Sequence, residues 1–510
     1  MDQKFAWAFN RPKVATIPII HLWNRTSRVE APRDILVWLD EQLAVESPGA
    51  QWARQNKPGW DGFWHPLNVL SGRFPTGLYR RIKGLLPGCH VEDNRKRPPV
   101  RSEIDPYCLR VDPEKPEEPY VTLHGEKRLI PRDEQVAALI AALECGRGVL
   151  DLAMAVGKTE VGLLIAAHVP GKCVWIIHRK DLLHQTAERI RIRMGEEPAL
   201  IGDGQWDERA GQDVKFVIAM DQTVGRPRIE HTANADKKHY DDLEIFSSQV
   251  ADAKTVIFDE VHVTGAAQTF FMVAQYIPNA YFRIGLTGTA TTDDPVRNRR
   301  LEAATGPILY KVSIAEATSK GYLAPARVIY HKAPAPIGPV TLGNYQDARR
   351  ALIEDNGPRN ALIVDLTVEA AQAGRRCLVI CDTIRHVRHI ADVLRDTGVR
   401  SVVLTGHHSS GVRSSAKKDL QSGVLEVAVV SPIWDMGVNL PQLDTVILAA
   451  GGKSSVKALQ RVGRALRTSP GKTEAVIHDF WDAGSKYTLA HSQARLKLCR
   501  RERFAVEGPI

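Results

Sequence analysis

The sequence predicts an α/β protein with two domains that each contain a doubly wound parallel sheet, preceded by a small α+β domain. Two observations carry this prediction. From about residue 129, apolar runs of strand length alternate with helix-length segments, and such alternation produces βαβ units and parallel sheets. The alternation stops in a proline-rich stretch near residues 321–343 and then resumes. The first hundred residues lack the pattern and form a separate region.

The order of elements follows from this alternation. A helix is predicted from Arg132 to about Leu143, because an acidic first turn precedes a helix-forming run. Strands of the first sheet are predicted at Cys173–Ile177, Lys215–Ala219, Thr255–Asp259 and Phe282–Gly288. Strands of the second sheet are predicted at Cys377–Asp382, Ser401–Thr405, Glu426–Ser431, Thr445–Ala450 and Glu474–Phe480. Residues 225–242 are charged and turn-rich, which predicts an exposed insertion.

The boundaries that we predict divide the chain into six parts. They are an N-terminal domain (1–100), a linker (101–122), a first α/β domain (123–325), a second linker (326–343), a second α/β domain (344–484) and a basic, helical C-terminal tail (485–510).

The overall composition is that of a globular protein that favours a polyanionic partner. The chain has 510 residues, of which 44% are hydrophobic and 25% charged, and its net charge is +9. The sequence shows no bilayer-spanning apolar run and no signal peptide, so we expect no membrane partner and a cytoplasmic location. Seven scattered cysteines without a CxxC pair fit a reducing compartment better than a disulfide framework or a zinc site.

The first hundred residues combine aromatic and basic side chains. They hold six of the ten tryptophans and 15 Lys and Arg against 9 Asp and Glu. Such a mixture suits a surface that contacts phosphates and stacks bases, and it equally suits a small domain with a tryptophan core. The residues that we select as nucleic-acid candidates here are Trp60, Trp64, Arg73, Arg80, Arg81 and Lys83.

A phosphate-binding loop is predicted where an apolar strand meets a helix. The run Val149–Leu152 leads into residues 155–159, which read AVGKT, and a helix-forming run follows. Backbone N–H groups at such a turn hold nucleotide phosphates, Lys158 adds a positive charge, and the Thr159 hydroxyl reaches Mg²⁺. The match is imperfect, because Leu152 stands where the full pattern has glycine.

Two adjacent carboxylates end the predicted strand Thr255–Asp259. Ligands of parallel sheets bind at the carboxyl ends of the strands, which places these acids near the predicted phosphate loop. Asp259 would hold Mg²⁺ through water, and Glu260 would orient or deprotonate the attacking water. Further along, residues 460–467 read QRVGRALR, and helical spacing puts Gln460, Arg464 and Arg467 on one face. Arginines placed opposite a γ-phosphate would stabilise transition-state charge.

In their order and spacing these segments resemble the motifs of superfamily 2 helicases of the DEAD/DEAH-box class. The similarity runs from about Leu129 to Phe480 and implies two RecA-like domains, and residues 259–262 give a DEVH box. Two departures are Ala155–Val156, where glycine followed by a small residue is usual, and Asn439, where Asp is commoner. The matching segments are residues 153–159, 178–183, 219–223, 259–262, 286–290, 379–382, 431–441 and 460–467.

The resemblance implies ATP and Mg²⁺ as cofactors and assigns roles to particular residues. Catalysis is implied for Lys158, Asp259, Glu260, His262, Gln460, Arg464 and Arg467. Nucleotide contacts are implied for Arg132, Gln135, Ala155, Val156, Gly157, Lys158, Thr159, Glu160, Gly437 and Asn439. Metal contacts are implied for Thr159 and Asp259, and nucleic-acid contacts for Arg179 and Thr223.

Residues 60–62 and 72–78 resemble the corresponding region of phage helicases of the UvsW type. That resemblance implies an ATP-dependent DNA helicase or translocase that acts on branched or duplex DNA in phage recombination, replication or repair, in the host cytoplasm. Two alternatives are a translocase subunit of a restriction-type complex that does not separate strands, and an ATP-gated nucleic-acid clamp. RNA is an alternative substrate. The sequence identifies no protein partner.

Overall fold

The computed structural model describes most of the chain. The chain divides into two compact units, Met1–Val312 and Ser313–Ile510. The described residues are 17–50, 59–114, 119–225, 228–232, 235–239, 241–261, 268–290, 294–340, 342–431, 443–452, 463, 466, 468 and 472–508.

The described residues between 17 and 93, which we call the N-terminal module, include a four-stranded mixed sheet and two α-helices. The sheet order is β5-β2-β1-β6, with β1 antiparallel to β2 and parallel to β6. The elements are β1 Ile19–Leu22, β2 Thr26–Glu30, α1 Arg33–Leu43, β3 Val45–Glu46, β4 Phe63–Trp64, β5 Arg73–Pro75, α2 Tyr79–Leu85 and β6 His90–Asp93. Helix α1 buries Ile35, Trp38 and Leu39 on one face, so at least one tryptophan of this region belongs to the core.

The first α/β domain follows a short hairpin. Its sheet has the order β12-β11-β13-β10-β16-β17-β9-β18, parallel except for β12. The elements are β7 Pro119–Val121, β8 Lys127–Leu129, α3 Asp133–Cys145, β9 Arg147–Leu152, α4 Lys158–His168, β10 Cys173–Ile177, α5 Lys180–Met194, β11 Ala199–Gly202, β12 Gln205–Trp206, β13 Phe216–Met220, α6 Asp221–Val224, β14 Arg228–Thr232, β15 Ala235–His239, α7 Asp241–Gln249, β16 Thr255–Asp259, α8 Gln268–Gln275, β17 Phe282–Thr287, α9 Pro295–Ala304 and β18 Ile308–Val312.

The central strands of this sheet are covered on both faces. Every residue of β9, β10, β16 and β17 is buried, as expected for parallel strands between two layers of helices. Helix α4 approaches β10 closely at Gly162, where any Cβ would collide with the Trp175 ring. This close packing fixes the start of α4, and therefore the loop before it, against the sheet.

The N-terminal module shares its core with the first α/β domain. Ala303 of α9 belongs to the module's hydrophobic core, and Phe271 of α8 packs against it. Gly77 lies so close to the backbone carbonyls of Glu302 and Ala303 that a Cβ would overlap them. The Arg81 guanidinium donates to Glu302, with a shortest distance of 2.9 Å. The module and this domain are therefore joined by packed side chains.

The second unit contains another parallel sheet, with the order β21-β22-β20-β23-β24-β19-β25. Its core lies between β20, β22 and the helices α12 and α13. The elements are α10 Ile314–Ser319, β19 Ala326–Lys332, α11 Tyr345–Arg349, α12 Gly357–Gln372, β20 Cys377–Ile380, α13 Ile384–Arg395, β21 Ser401–Leu404, α14 Ser410–Ser422, β22 Val427–Val430, β23 Thr445–Ile447, β24 Ala475–Trp481, α15 Lys486–Arg501 and β25 Ala505–Glu507.

The predicted fold class is confirmed, and the differences concern local segments. Strands Cys173–Ile177 and Thr255–Asp259 have the predicted bounds. Within the predicted insertion, residues 228–232 and 235–239 form two strands that pair antiparallel. The segment predicted as a basic tail is built into the second unit, because β25 pairs with β19 and Arg495 of α15 is buried against Asp479. Over the described residues no helix combines the length and apolar character needed to cross a membrane.

Candidate nucleotide-binding site

The loop between β9 and α4 has the backbone of a phosphate-binding turn. Gly157, which precedes the first residue of α4, has a φ of +93°, and a Cβ there would collide with the Gln135 amide. Ala155 also has a positive φ of 64°. The first N–H groups of α4 lack intrahelical acceptors and point out of the helix start, where an anion can bind them. The loop therefore keeps the required geometry although Leu152 replaces the usual glycine.

The start of α3 holds this loop from one side. The Gln135 side chain donates to the Val156 carbonyl at 2.7 Å and accepts from the Arg132 backbone N–H at 2.9 Å. The Arg132 guanidinium donates to the Ala155 carbonyl. Both side chains thus fix the loop backbone. Direct nucleotide contact by Arg132 and Gln135 stays a prediction.

The predicted acids lie opposite the loop, at the end of β16. The Lys158 ammonium is 3.6 Å from a Glu260 carboxylate oxygen. Asp259 is buried and accepts from the Glu260 N–H at 2.9 Å. Burial and the neighbouring Glu260 charge raise the pKa of Asp259 well above its usual range, while Lys158 acts in the opposite direction. The two adjacent carboxylates repel each other, and a cation bound beside them would reduce this repulsion.

The segment after β17 completes this side of the site. The Thr287 hydroxyl accepts from the Thr289 N–H at 3.0 Å. Gly288 lies beside the phosphate loop, since a Cβ there would be 3.1 Å from the Leu152 carbonyl and 3.6 Å from the Lys158 nitrogen. Residues 286–290, which we predicted as a motif from their order, therefore lie against the phosphate loop.

Asp151 is a site residue that sequence reasoning missed. It lies in β9, is 5% exposed, and accepts from the Ala290 N–H at 3.1 Å. Its other oxygen is 3.6 Å from the Lys311 ammonium. Burial raises the pKa of the Asp151 carboxyl. One feature of the sequence could have identified it. Asp151 is an acid within the otherwise apolar run Val149–Leu152, and a buried acid requires a hydrogen-bonding or charged partner.

The other predicted residues of this domain lie at the same edge of the sheet. Thr159 is half-buried at the start of α4. The Glu160 carboxylate is 3.5 Å from Arg189 and 3.9 Å from Arg193, so arginines of α5 bind it. Direct contact of Glu160 with the nucleotide stays a prediction.

Arg179 and Thr223, the predicted nucleic-acid contacts of this domain, follow β10 and β13. Arg179 precedes α5, with its guanidinium 3.7 Å from Asp181, and Thr223 lies in α6. The segments that carry them are joined by His178, whose ring nitrogen is 3.1 Å from a carboxylate oxygen of the buried Asp221. Contact of Arg179 and Thr223 with nucleic acid stays a prediction.

Three candidates of the N-terminal module lie at its joint with the α/β domain. The Trp64 ring meets Phe271 edge-on at 5.8 Å, with Arg300 5.5 Å from it. Arg81 pairs with Glu302, and Arg80 donates to the Cys145 sulfur at 3.2 Å. Trp64 and Arg81 therefore have a structural task that the sequence did not show.

The remaining candidates of the module are differently placed. Trp60 is half-buried and donates from its indole N–H to the Phe63 carbonyl at 3.2 Å. Arg73 and Lys83 are exposed, on β5 and α2. These two cations are the members of the set best placed to meet phosphates.

Part of the predicted site lies outside the described residues. This holds for one residue of the first domain and for the predicted contributions of the second domain. The residues are His262, Gly437, Asn439, Gln460, Arg464 and Arg467.

Two family models match the chain, one on each α/β domain. The model of the type III restriction enzyme res subunit matches residues 128–292. The model of the helicase conserved C-terminal domain matches residues 359–469. The two matches occur in the order that the motifs predicted and together include the phosphate loop, the paired acids and all of residues 460–467.

The chain is similar to several known proteins at low sequence identity. Helicase 22 of the Sulfolobus islandicus filamentous virus is 23% identical, over 66% of this chain and 60% of its own length. The ATP-dependent DNA helicase uvsW of Enterobacteria phage T4 is 22% identical, over 92% of this chain and 91% of its own. The DNA 3'-5' translocase XPB2 of Sulfurisphaera tokodaii is 24% identical, over 73% and 84%.

A solved structure shows the same fold. The ATP-dependent Type ISP restriction-modification enzyme LlaBIII bound to DNA superposes with a TM-score of 0.51 at 16% identity, over 72% of this chain and 29% of that one. The phosphate loop, the acids beside Lys158 and the order of the two family models along the chain all indicate the same family. The chain belongs to superfamily 2 of the ATP-dependent helicases.

Proposed function

We propose that this protein is an ATP-driven DNA motor that acts on branched or duplex DNA in phage recombination, replication or repair, in the cytoplasm of the host. Two similar proteins support DNA as the substrate, since one is named a DNA helicase and another a DNA translocase. The observation that carries the proposal is the core shared by the N-terminal module and α9. DNA bound to this module would be attached directly to the domain that binds ATP.

The residues at the candidate site fit ATP and Mg²⁺. Bound ATP supplies the phosphoryl group, and Mg²⁺ supplies charge to its oxygens. Lys158 would bind phosphate oxygens, the Thr159 hydroxyl would contact the Mg²⁺, and Asp259 would hold it through water. The Glu260 carboxylate would accept the proton of the attacking water, because it is half-buried and next to Lys158. Arg464 and Arg467 would stabilise the developing charge from the second domain.

The test compares ATP hydrolysis by the full chain with duplex, single-stranded, forked and four-way DNA and with RNA. We expect forked and four-way DNA to stimulate hydrolysis most. Stimulation by RNA alone would overturn the DNA assignment. Equal rates with and without any nucleic acid would instead favour the ATP-gated clamp, for which hydrolysis is a weak side reaction.

The role of the N-terminal module requires substitutions. Deleting the module would expose Ala303 and Phe271, so a truncated chain would lose stability together with any DNA contact. Arg73→Ala combined with Lys83→Ala should instead weaken fork binding and reduce the slope of log affinity against log salt by about 0.9 per lost phosphate contact. Arg395→Ala, an exposed arginine of the second unit, is the control. If the double variant binds forks with unchanged affinity, the module has a function other than binding DNA through these residues.

The restriction-subunit model over residues 128–292 supports a second candidate, a translocase that does not separate strands. The two candidates differ in their products. A helicase releases a strand from a fork, whereas a pure translocase displaces a triplex-forming oligonucleotide from intact duplex and leaves the fork paired. Measuring both reactions with one preparation decides between them.

A further inference from the structure

A cavity of about 550 Å³ lies where the N-terminal module meets the first α/β domain. Four of its lining side chains are arginines. We call it the arginine cavity, defined by Arg80 and Arg95 from the module, Arg97 just after it, and Arg147 from the α/β domain. Asp93 and Glu144 are the acids that line it.

The positive charge of the cavity is only partly balanced. Asp93 binds Arg95 through two hydrogen bonds, at 2.8 and 2.5 Å, and this pair is self-contained. Arg97 donates to the Leu143 carbonyl at 2.9 Å, and Arg80 donates to the Cys145 sulfur. Neither has a carboxylate within ion-pair distance among the described residues. Glu144, the other acid of the lining, is exposed.

Arg147 makes this imbalance costly. It is 7% exposed, and it donates hydrogen bonds to the neutral carbonyls of Thr305 and Asn24, at 2.9 and 3.3 Å. Within the described part of the chain no carboxylate pairs with it. Burial, together with the nearby Arg283 and Arg95 charges, lowers the pKa of Arg147 well below its usual range. A buried cation of this kind is stabilised by an anion that enters the cavity.

We propose that the arginine cavity is a second phosphate-binding site, separate from the ATP site and spanning the joint between the N-terminal module and the α/β domain. Guanidinium groups bind phosphate oxygens through paired N–H donors, and several of them converge here. The site lies at the start of β9, whereas the phosphate loop follows its end, roughly 17 Å away at the usual rise per residue. The phosphate belongs either to a free anion or to a DNA backbone.

A phosphate in this cavity would contact both sides of the joint. Arg80 comes from α2 of the module and Arg147 from β9, so one anion would hold the two together. The ligand should therefore raise the thermal stability of the whole first unit. This expectation goes beyond the proposed function, because it requires neither ATP hydrolysis nor DNA movement.

The experiment uses the full chain carrying Lys158→Ala, which weakens phosphate binding at the ATP site. Inorganic phosphate is titrated while the melting temperature is followed, with chloride at equal ionic strength as the reference. We expect a saturable rise. Adding Arg80→Met and Arg97→Met should weaken binding about tenfold or more, since each removes a charge-assisted contact while keeping an aliphatic stem. Arg33→Met, an exposed arginine of α1 on the same module but outside the cavity, should leave it unchanged.

The outcomes separate clearly. A phosphate effect that survives Arg80→Met with Arg97→Met overturns the proposal, as does a rise that never saturates. If the double variant fails to fold, each single variant is measured, and wild-type affinity in both overturns it equally. Competition by a short oligodeoxythymidylate identifies the source: displacement of phosphate assigns the site to a DNA backbone, and simultaneous binding assigns it to a free anion.

Discussion

The two α/β units place acidic side chains at the same point of their sheets and surround them differently. Asp259 ends β16 in the first unit, and Asp482 follows β24 in the second. Asp482 meets Arg359 at 2.9 Å, and both side chains are completely enclosed. Asp259 has Glu260 and Lys158 as its charged neighbours and, in the described part of the chain, no arginine partner.

The difference lies in the charge balance. In the second unit, Arg359 and Arg495 face Asp479 and Asp482, so two cations meet two anions and the network is closed. In the first unit the described charged neighbours of Asp259 are the Glu260 carboxylate and the Lys158 ammonium. A closed buried network specifies structure, whereas adjacent carboxylates at the end of a strand suit a bound cation. We therefore propose that the edge of the first unit binds a ligand and that the edge of the second unit, over the described residues, is structural, and we call them the binding edge and the structural edge.

The largest effect is expected at the binding edge. Glu260→Gln keeps the shape of the side chain but removes the group that would accept the water's proton, so hydrolysis should fall by about 10²–10⁴-fold. ATP should still bind, and DNA should be retained in the ATP-bound form. Rates of phosphate release and nucleotide affinity measure the two effects. A variant that loses nucleotide binding and unfolds would show that Glu260 belongs to a structural network instead.

The structural edge should respond in stability. Arg359→Met leaves Asp482 with only the more distant Arg495, at 3.9 Å, and should lower the free energy of unfolding of the second unit by about 3–5 kcal/mol. Urea denaturation followed by circular dichroism measures it. Arg395→Met, whose ion pair with Asp392 is exposed, is the matched control and should change little. A small effect of Arg359→Met would remove the contrast between the two edges.

Substitutions of Asp151 test whether this buried acid of the first unit is needed for its hydrogen bond or for its charge. Asp151→Asn keeps an oxygen that can accept from Ala290, whereas Asp151→Ala leaves that N–H without its partner. We expect the alanine variant to lower kcat about tenfold and the asparagine variant to stay near wild type. Steady-state ATPase assays separate the two. Equal losses in both variants would mean that the charge, and not the hydrogen bond, is needed.

The smallest effect is expected at His65, a partly exposed side chain that contacts Asp40 and Asp61. Burial lowers the pKa of His65, but hydrogen bonds and charges of Asp61 and Asp40, each at 2.6 Å, outweigh it and raise the pKa. This stabilisation is present below the unfolded pKa and disappears as the pH rises through the folded one. His65→Gln should therefore cost less than about 1 kcal/mol in acidic buffer and nothing in alkaline buffer, because His65 is 39% exposed. A constant difference across pH would assign the loss to packing.

Sequence patterns predicted the sheets, and they also predicted that the loop carrying Lys158 and the paired acids would lie close together, for a physical reason. Buried parallel strands need continuous apolar runs, and the chemistry of the phosphate loop needs a fixed order of residues, so both leave local signals. Partners distant in sequence leave none. The pairing of Arg359 with Asp482, the hydrogen bond from Ala290 to Asp151 and the contact of Gly77 with α9 each join separate segments. Trp64 and Arg81 were selected by composition, which cannot distinguish a joint from a free surface.

The topology of the second sheet has a consequence for synthesis of the protein. Strand β19 comes first in this sheet, yet both of its neighbours, β24 and β25, come from the far end of the unit. During translation β19 therefore waits with both edges unpaired until nearly all of the second unit has left the ribosome. Such late closure slows folding and exposes strand edges to wrong partners. Chaperone dependence should accordingly be concentrated in this half of the nascent chain, while the first unit can fold as soon as β18 emerges.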